Sequence, residues 1–516
     1  MEDEMKERFE DWRGREAVPE KHGGIRAATI ACVVEMLENL VFLANANNFV
    51  TYFMKSMHYG SARSANMVTN FMGTSFLLTL FGGFVADSFL TRFTSFVLFC
   101  SLEILGLILL TVQAHSPKLQ PPPEKTPSAL QSAFLFTGLY AMAVGVGGVK
   151  ASLPSHGGDQ LDNRNQRLVS GFFNWYFFSL CSGGFFAVTV MVWIEENKGW
   201  NWSFNISLAI LAFALCIFSS GFPLYRFKRP SGSPLTRIVR VIASATRNRK
   251  GSAIDAEMAK DRNSTVKNIH QDKFKFLDKA LLEEKITAVE VEETRTFLAL
   301  LPIFGSTIMM NCCLAQLTTF SVQQGVIMDR KLGRSFEIPV PSLTIIPLSV
   351  MLSSIPLYEF FRGRHGNSLA SSFFQPLKRI GLGLALSSIS MAVAAAVEAK
   401  RRSEAVHRNE PISVFWLGFQ YLFLGVADML ALGGMLEFFY REAPDRMRSI
   451  STALSWSSTA MGFFLSSVLV ELTNAVTGGW LGGKDLNKAR LDLFYVVLSV
   501  LNTLNLFNYV FWAKRY

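Results

Sequence analysis

A chain of 516 residues would ordinarily divide into several soluble domains, but half of this one is hydrophobic and it carries 45 Phe, a balance that suits lipid better than water. Its net charge of +10 comes with no nucleic-acid motif and falls between apolar runs, so it reads as positive charge kept on the cytosolic side of a membrane, with no nucleic-acid partner. The sequence has no phosphate-binding loop, metal-ligand cluster or nucleophile elbow, which gives no support to a nucleotide-driven pump or a membrane hydrolase and leaves no cofactor or metal to expect.

In chain order, residues 1–26 are strongly charged in both signs and contain no apolar stretch followed by a cleavage site, so they read as a cytosolic N-terminal segment. The first span then serves as the uncleaved insertion signal. Apolar runs recur at 27–51, 66–86, 92–114, 131–152, 169–194 and 203–225, each long enough to cross ~30 Å of hydrocarbon as a helix. They lack the period-two alternation of barrel strands. A polar stretch at 226–296 follows, with Ser-Pro punctuation at Ser233 and Pro234 and a charged run through Glu283, Glu284 and Lys285. It reads as a cytosolic linker, part disordered and part amphipathic helix. Six further runs fall at 297–321, 342–361, 378–398, 411–436, 449–474 and 491–513.

The expectation is an all-α membrane protein of twelve transmembrane helices, with an N-terminal half at 27–225, a C-terminal half at 297–516 and both termini in the cytosol. Of 50 Lys and Arg, 34 then fall inside and 15 outside, but 16 of the inside ones lie in the linker, so orientation rests mainly on the linker's size and the polar N-terminus. Six spans, a long loop and six more is the layout of the major facilitator fold, whose halves rock around a midplane site. The six cysteines, Cys32, Cys100, Cys181, Cys216, Cys312 and Cys313, lie in apolar segments without a CxxC pair and read as buried free thiols.

Charges inside the apolar runs carry the chemistry. Glu35 and Glu38, three residues apart in span 1, share a helix face well inside the run. Neighbouring carboxylates in a low dielectric raise each other's proton affinity, so the pair suits gating or proton exchange; the alternative is that both hydrogen-bond to nearby helices and hold the bundle together. Between spans 2 and 3, Gly82-Gly83-Phe84-Val85-Ala86-Asp87 with Arg92 just beyond makes a tight turn, and Asp87 and Arg92 are placed to latch neighbouring helix ends. Lys150 follows Gly145, Gly147 and Gly148 in span 4. It either snorkels to the interface or faces a central cavity, and the polar continuation through His156 and Asp159 favours a long helix and the cavity. Asp428 and Glu437 lie nine residues apart in span 10, ahead of Arg441, Arg446 and Arg448. Glu437 suits either a switchable ion pair with Lys150 or a bond to those arginines. Asn201-Trp202-Ser203 and Asn263-Ser264-Thr265 match glycosylation acceptors, the first against the membrane and the second on the cytosolic side.

Taken together, these segments resemble the plant nitrate transporter 1/peptide transporter family, a branch of the proton-coupled oligopeptide transporters. The likeness covers essentially the whole chain: the turn from Gly82 to Arg92, the segment from Gly145 to Asp162, the run from Phe172 to Phe178, Leu314 to Gln324, and Leu436 to Ser449. Two stretches around Glu35 and Leu314 are similar to the subgroup that imports abscisic acid, with gibberellin carried by some members. The resemblance implies that Lys150 is the family's substrate and coupling lysine, Glu437 its span-10 partner, and Glu35 and Glu38 the acids of an ExxER motif. Asn39 departs from that motif, removing the cation that would hold both acids ionised and leaving proton coupling open. Leu314 stands where the dual-affinity nitrate transporter has its nitrate-binding histidine, and a Leu suits an apolar ligand body.

The expected function is secondary transport of a carboxylated hormone such as abscisic acid into the cell across the plasma membrane. The carboxylate would sit on Lys150 and the ring against Leu314 and Trp456, and binding would break a Lys150–Glu437 pair. Protons are the candidate coupling ion, and a kinase acting on the cytosolic loops is a candidate regulator. Rival readings are passage of nitrate, another small anion or a peptide, and a transporter-like hormone or nutrient sensor.

Overall fold

The computed structural model describes residues 9–59, 61–122, 125–162, 165–230, 232–248, 274–283, 286–332, 336–337, 343–364, 375–408, 410–481 and 486–516. Among them, eleven helical stretches are long and apolar enough to cross a membrane, and the shorter apolar helix Ile345–Phe361 supplies the twelfth span. The first half contains Gly24–Lys55, Ser61–Ser88 in two pieces, Arg92–His115, Ala129–Asp159, Gln166–Glu195 and Trp200–Leu224. The second contains Ala288–Val326, Ile345–Arg364, Pro376–His407, Val414–Glu442, Arg448–Thr477 and Leu491–Arg515. These are spans 1 to 12 below, and the chain is an all-α protein of the major facilitator fold.

Several helices outrun the apolar windows of the sequence, and in two of them a side-chain cap sets the start before the apolar run. Ser128 and Gln131 form a capping box that starts span 4. Thr287 and Glu290 do the same for span 7, a turn and more before its apolar run. Span 2 breaks at Leu78 and span 5 widens into a π turn at Ala187–Met191. The loop after span 7 holds a two-residue antiparallel pair, Lys331–Leu332 with Phe336–Glu337.

Glycines set how closely the spans approach. A Cβ on Gly82 would stand 2.5 Å from the Cα of Gly148, so spans 2 and 4 meet backbone to backbone. Gly83, on the adjoining face, would meet the Cα of Ile450 in span 11 at 2.8 Å. Between the halves, span 2 packs on span 11 and span 5 on span 8.

Both termini lie at one end of the bundle. Gly24 N–H donates to the carbonyl of Gln160 at the end of span 4, and Tyr516 Oη reaches Glu442 at the end of span 10. The segment before span 1 folds back on this end through paired backbone bonds between Glu10 and Phe227 at 2.8 Å. The backbone N–H groups of Arg15 and Arg13 close a turn on Asp11 and hold its carboxyl below the usual carboxylate range. In the linker, the amphipathic helix Pro234–Arg247 packs on the short helix Lys275–Leu282 through Val241, Ala245, Leu277 and Leu281. The acceptor match at Asn263, and Glu284 and Lys285 of the charged run, lie outside the described residues. Four of the six free cysteines are buried, but Cys216 is exposed and Cys32 half-buried, because each sits on an outward face of its helix.

Candidate functional site

Span 4 carries Lys150 into the centre of the bundle, fully buried, so its ammonium does not snorkel to the interface. It donates to Glu38 Oε2 at 2.9 Å, to Asn39 Oδ1 at 3.2 Å and to Glu35 Oε1 at 3.4 Å, all from span 1. Glu35 also accepts from Tyr176 Oη of span 5 at 2.5 Å. Asn39 donates through its amide to the carbonyl of Leu180 at 2.8 Å, which fixes its oxygen toward the lysine. The ammonium lies 5.3 Å from the ring of Phe42 and 5.0 Å from that of Trp456, the latter reaching across from span 11. Trp456 stacks on Phe76 at 5.5 Å, so the rings form a wall joining the two halves beside the cation.

Glu437 is not paired with Lys150 in this structure. Its Oε2 accepts from Arg379 at 3.0 Å and from Ser170 at 3.0 Å, and its Oε1 accepts from Arg441 at 3.1 Å. Arg379, at the start of span 9, also donates to Asn174 of span 5 at 2.8 Å, and Asn174 bonds Glu359 of span 8. The expected Lys150–Glu437 pair is thus replaced by two separate clusters, because each charge meets a nearer counter-charge: Lys150 in its own half and Glu437 in its own. Of the alternatives for Glu437, a bond to the following arginines is realised through Arg441, one turn on.

Asp87 and Arg92 form part of a third cluster at the end that carries the termini. Asp87 accepts from Arg92 at 3.2 Å and from the backbone N–H groups of Ser449 and Ile450 at 3.3 and 2.9 Å. Arg92 also bonds Asp159 of span 4 and donates to Ser449 Oγ at 2.8 Å. Asp159 accepts from Tyr440 at 2.9 Å and from Arg448 at 3.4 Å. Four of these bonds tie the first half to the start of span 11, so this end of the interface is shut by charge-assisted hydrogen bonds.

Leu314, on span 7, is half-buried against the core. Three residues earlier Asn311 bonds Ser458 of span 11 at 2.9 Å, so this part of span 7 packs on span 11 within the second half. The structure therefore brings Lys150, Glu35, Glu38, Asn39 and Trp456 together, joins Asp87 to Arg92, and holds Glu437 apart from both groups. Arg379, Tyr176 and Asn174 escaped the sequence reading, and Arg448, read there as a candidate partner of Glu437, bonds Asp159 instead. The first three read as interfacial charge or as members of an aromatic run, and only the packing of the helices aims them inward. Glu103, fully buried in span 3, was also passed over, though a lone acid in an apolar run was a visible signal.

Twelve spans in two halves, a buried lysine between carboxylates at the interface and a polar latch at one end define a secondary transporter and not an enzyme. The family model described as PTR2, the POT family, matches residues 93–484. The chain is 69% identical over 522 positions to Protein NRT1/PTR FAMILY 4.2 of Arabidopsis thaliana and 68% identical over 518 positions to Protein NRT1/PTR FAMILY 4.1 of the same plant, covering all of both chains in each case. It is similar in fold to an auto-inhibited POT family peptide transporter, with a TM-score of 0.65 at 18% identity, covering 95% of this chain and 97% of the other. The chain belongs to the POT family, in its NRT1/PTR branch.

Proposed function

We propose that this transporter imports a small organic anion with an apolar body, abscisic acid first and gibberellin second, across the plasma membrane, with both termini and the linker in the cytosol. The observation that carries the reading is the buried Lys150 ammonium beside the rings of Phe42 and Trp456. A carboxylate is attracted by the cation while a ring system packs against the aromatic wall. Leu314, where a hydrogen-bonding side chain would favour a small inorganic anion, is offered as a further apolar contact. Substrate binding would draw Lys150 away from Glu35 and Glu38, in place of breaking a pair with Glu437. Opening of the bonds from Asp87, Arg92 and Asp159 to the start of span 11 would then release the ligand inward. Proton coupling is typical of the family, and Asn39 leaves its stoichiometry to the two acids. A kinase acting on the cytosolic loops is a candidate regulator.

Radiolabelled abscisic acid, gibberellin and nitrate, offered to cells expressing the chain at two external pH values, test the proposal. Abscisic acid should accumulate, and Lys150→Ala should abolish uptake while surface expression persists. Undiminished uptake by that variant overturns the site assignment, and no accumulation of either hormone overturns the substrate.

A further inference from the structure

Glu103 sits near the middle of span 3 and is fully buried. Neither of its carboxyl oxygens has a hydrogen-bond partner among the described residues. Span 3 reaches this position because span 4 has bare backbone opposite it: a Cβ on Gly145 would stand 2.5 Å from the Cβ of Glu103. Five residues further along span 4 comes Lys150. The charged groups that act on Glu103 are Glu38 and Glu35 from span 1 and Lys150 from span 4. Of the other helices packed on span 3, span 6 brings no charged residue between Trp200 and Ser220, and the second piece of span 2 brings only Asp87, engaged by Arg92. On its own helix the nearest titratable neighbour is Cys100.

One cation therefore serves three acids. Lys150 bonds Glu35 and Glu38, and Glu38 spends only one oxygen on it, since its Oε1 also has no partner among the described residues. A third carboxylate without a counter-ion in this interior is costly, whereas a carboxylic acid is not.

We infer that Glu103 is a proton-binding site of the transport cycle, holding a proton while Lys150 is engaged by Glu35 and Glu38 and exchanging it with Glu38. When a substrate carboxylate draws Lys150 away, Glu38 loses its counter-ion. The Glu103 O–H bond breaks, an O–H bond forms at Glu38 Oε1, and the total charge is unchanged. The Glu103 carboxylate then takes a proton from hydronium on the side to which the site is open, and Glu38 gives its proton to water on the other side when the substrate leaves and Lys150 returns. One proton thus enters with each anion, and Glu103 supplies the neutrality that a cation at position 39 would otherwise give. This deepens the transport reading above and rests on it for the direction of proton flow, but not for the protonated acid itself.

Two measurements separate those parts. In the first, the purified full chain in lipid nanodiscs is compared at acid and alkaline pH by infrared difference spectroscopy in H2O and D2O. A protonated-carboxyl C=O band that shifts in D2O should be present in the wild type and absent in Glu103→Gln. An unchanged band overturns the inference. Should Glu103→Gln fail to fold, Glu103→Asp should move the band, and a band that stays in place overturns it equally. In the second, proteoliposomes carry an imposed pH gradient and radiolabelled abscisic acid is the probe. Glu103→Gln should still exchange label at symmetric pH, while gradient-driven accumulation falls to the level seen with a protonophore. Full gradient-driven accumulation by the variant overturns the cycle. If the wild type itself accumulates no abscisic acid, the hormone assignment fails, and the infrared result still decides Glu103.

Discussion

The ammonium of Lys150 donates to Glu38 at 2.9 Å, and both residues belong to the same half of the bundle. The buried charge around Lys150 is therefore held within one half, and the second half contributes the Trp456 ring. Removing one partner of a buried pair strands the other, at a cost of about 3–5 kcal/mol. Lys150→Gln should accordingly lower the thermal unfolding midpoint in detergent as well as stop uptake. Adding Glu38→Gln should restore part of the lost stability but not the uptake. A midpoint unchanged by Lys150→Gln would mean that the two charges do not pay for each other's burial.

The latch makes a different kind of demand. Asp87 accepts from Arg92 within its own half and from two backbone N–H groups of the other, so Asp87→Asn weakens two bonds that exist only while this end is shut. Charge-assisted bonds are worth roughly 1.5–3 kcal/mol each, and losing one should shift the balance of shut and open forms about tenfold or more. Flux should fall while the folded protein still reaches the surface, measured as uptake beside surface biotinylation. A variant that kept ligand-dependent signalling without flux would point to a sensor.

Gly82 and Gly83 are neighbours with separable roles. Gly82 faces Gly148 inside one half, so Gly82→Ala should destabilise the fold itself by about 1–3 kcal/mol. Gly83 faces Ile450 across the interface, so Gly83→Ala should leave the unfolding midpoint near that of the wild type and prevent closure at this end. Reaction of an impermeant thiol reagent with a cysteine introduced by Ser449→Cys should then speed up in Gly83→Ala and not in Gly82→Ala.

The spans were legible in the sequence because a membrane-crossing helix needs a long apolar run, and Lys150, Glu35 and Glu38 because a charge inside such a run is conspicuous. Pairing was not legible. Glu437 and Lys150 look complementary on paper, yet which charge meets which depends on helix rotation, and Arg379 reaches Glu437 from a position that reads as the polar flank of span 9. Asp87 and Arg92 were readable as a latch because only Phe89, Leu90 and Thr91 separate their helices, although Gly82 to Asp87, expected as a tight turn, continue span 2 as a helix. Their partners Asp159 and Arg448 come from helices far away in the chain, and no local pattern announces them.

Asn39 offers the last test. Its oxygen accepts from Lys150 at 3.2 Å while its amide is tied to Leu180, so it lends the cluster a dipole and no charge. Asn39→Arg adds a cation beside two acids. On the proposed cycle a proton neutralises the carboxylate that Lys150 leaves behind in the wild type, so uptake should rise as external pH falls. A fixed guanidinium does the same work without a proton, so it should flatten that rise and extend transport to higher pH. The ratio of abscisic acid uptake at acid and neutral external pH, measured for both chains, checks the sign. A steeper dependence on acid in Asn39→Arg would show that the cluster does not need neutralising and that the proton acts elsewhere.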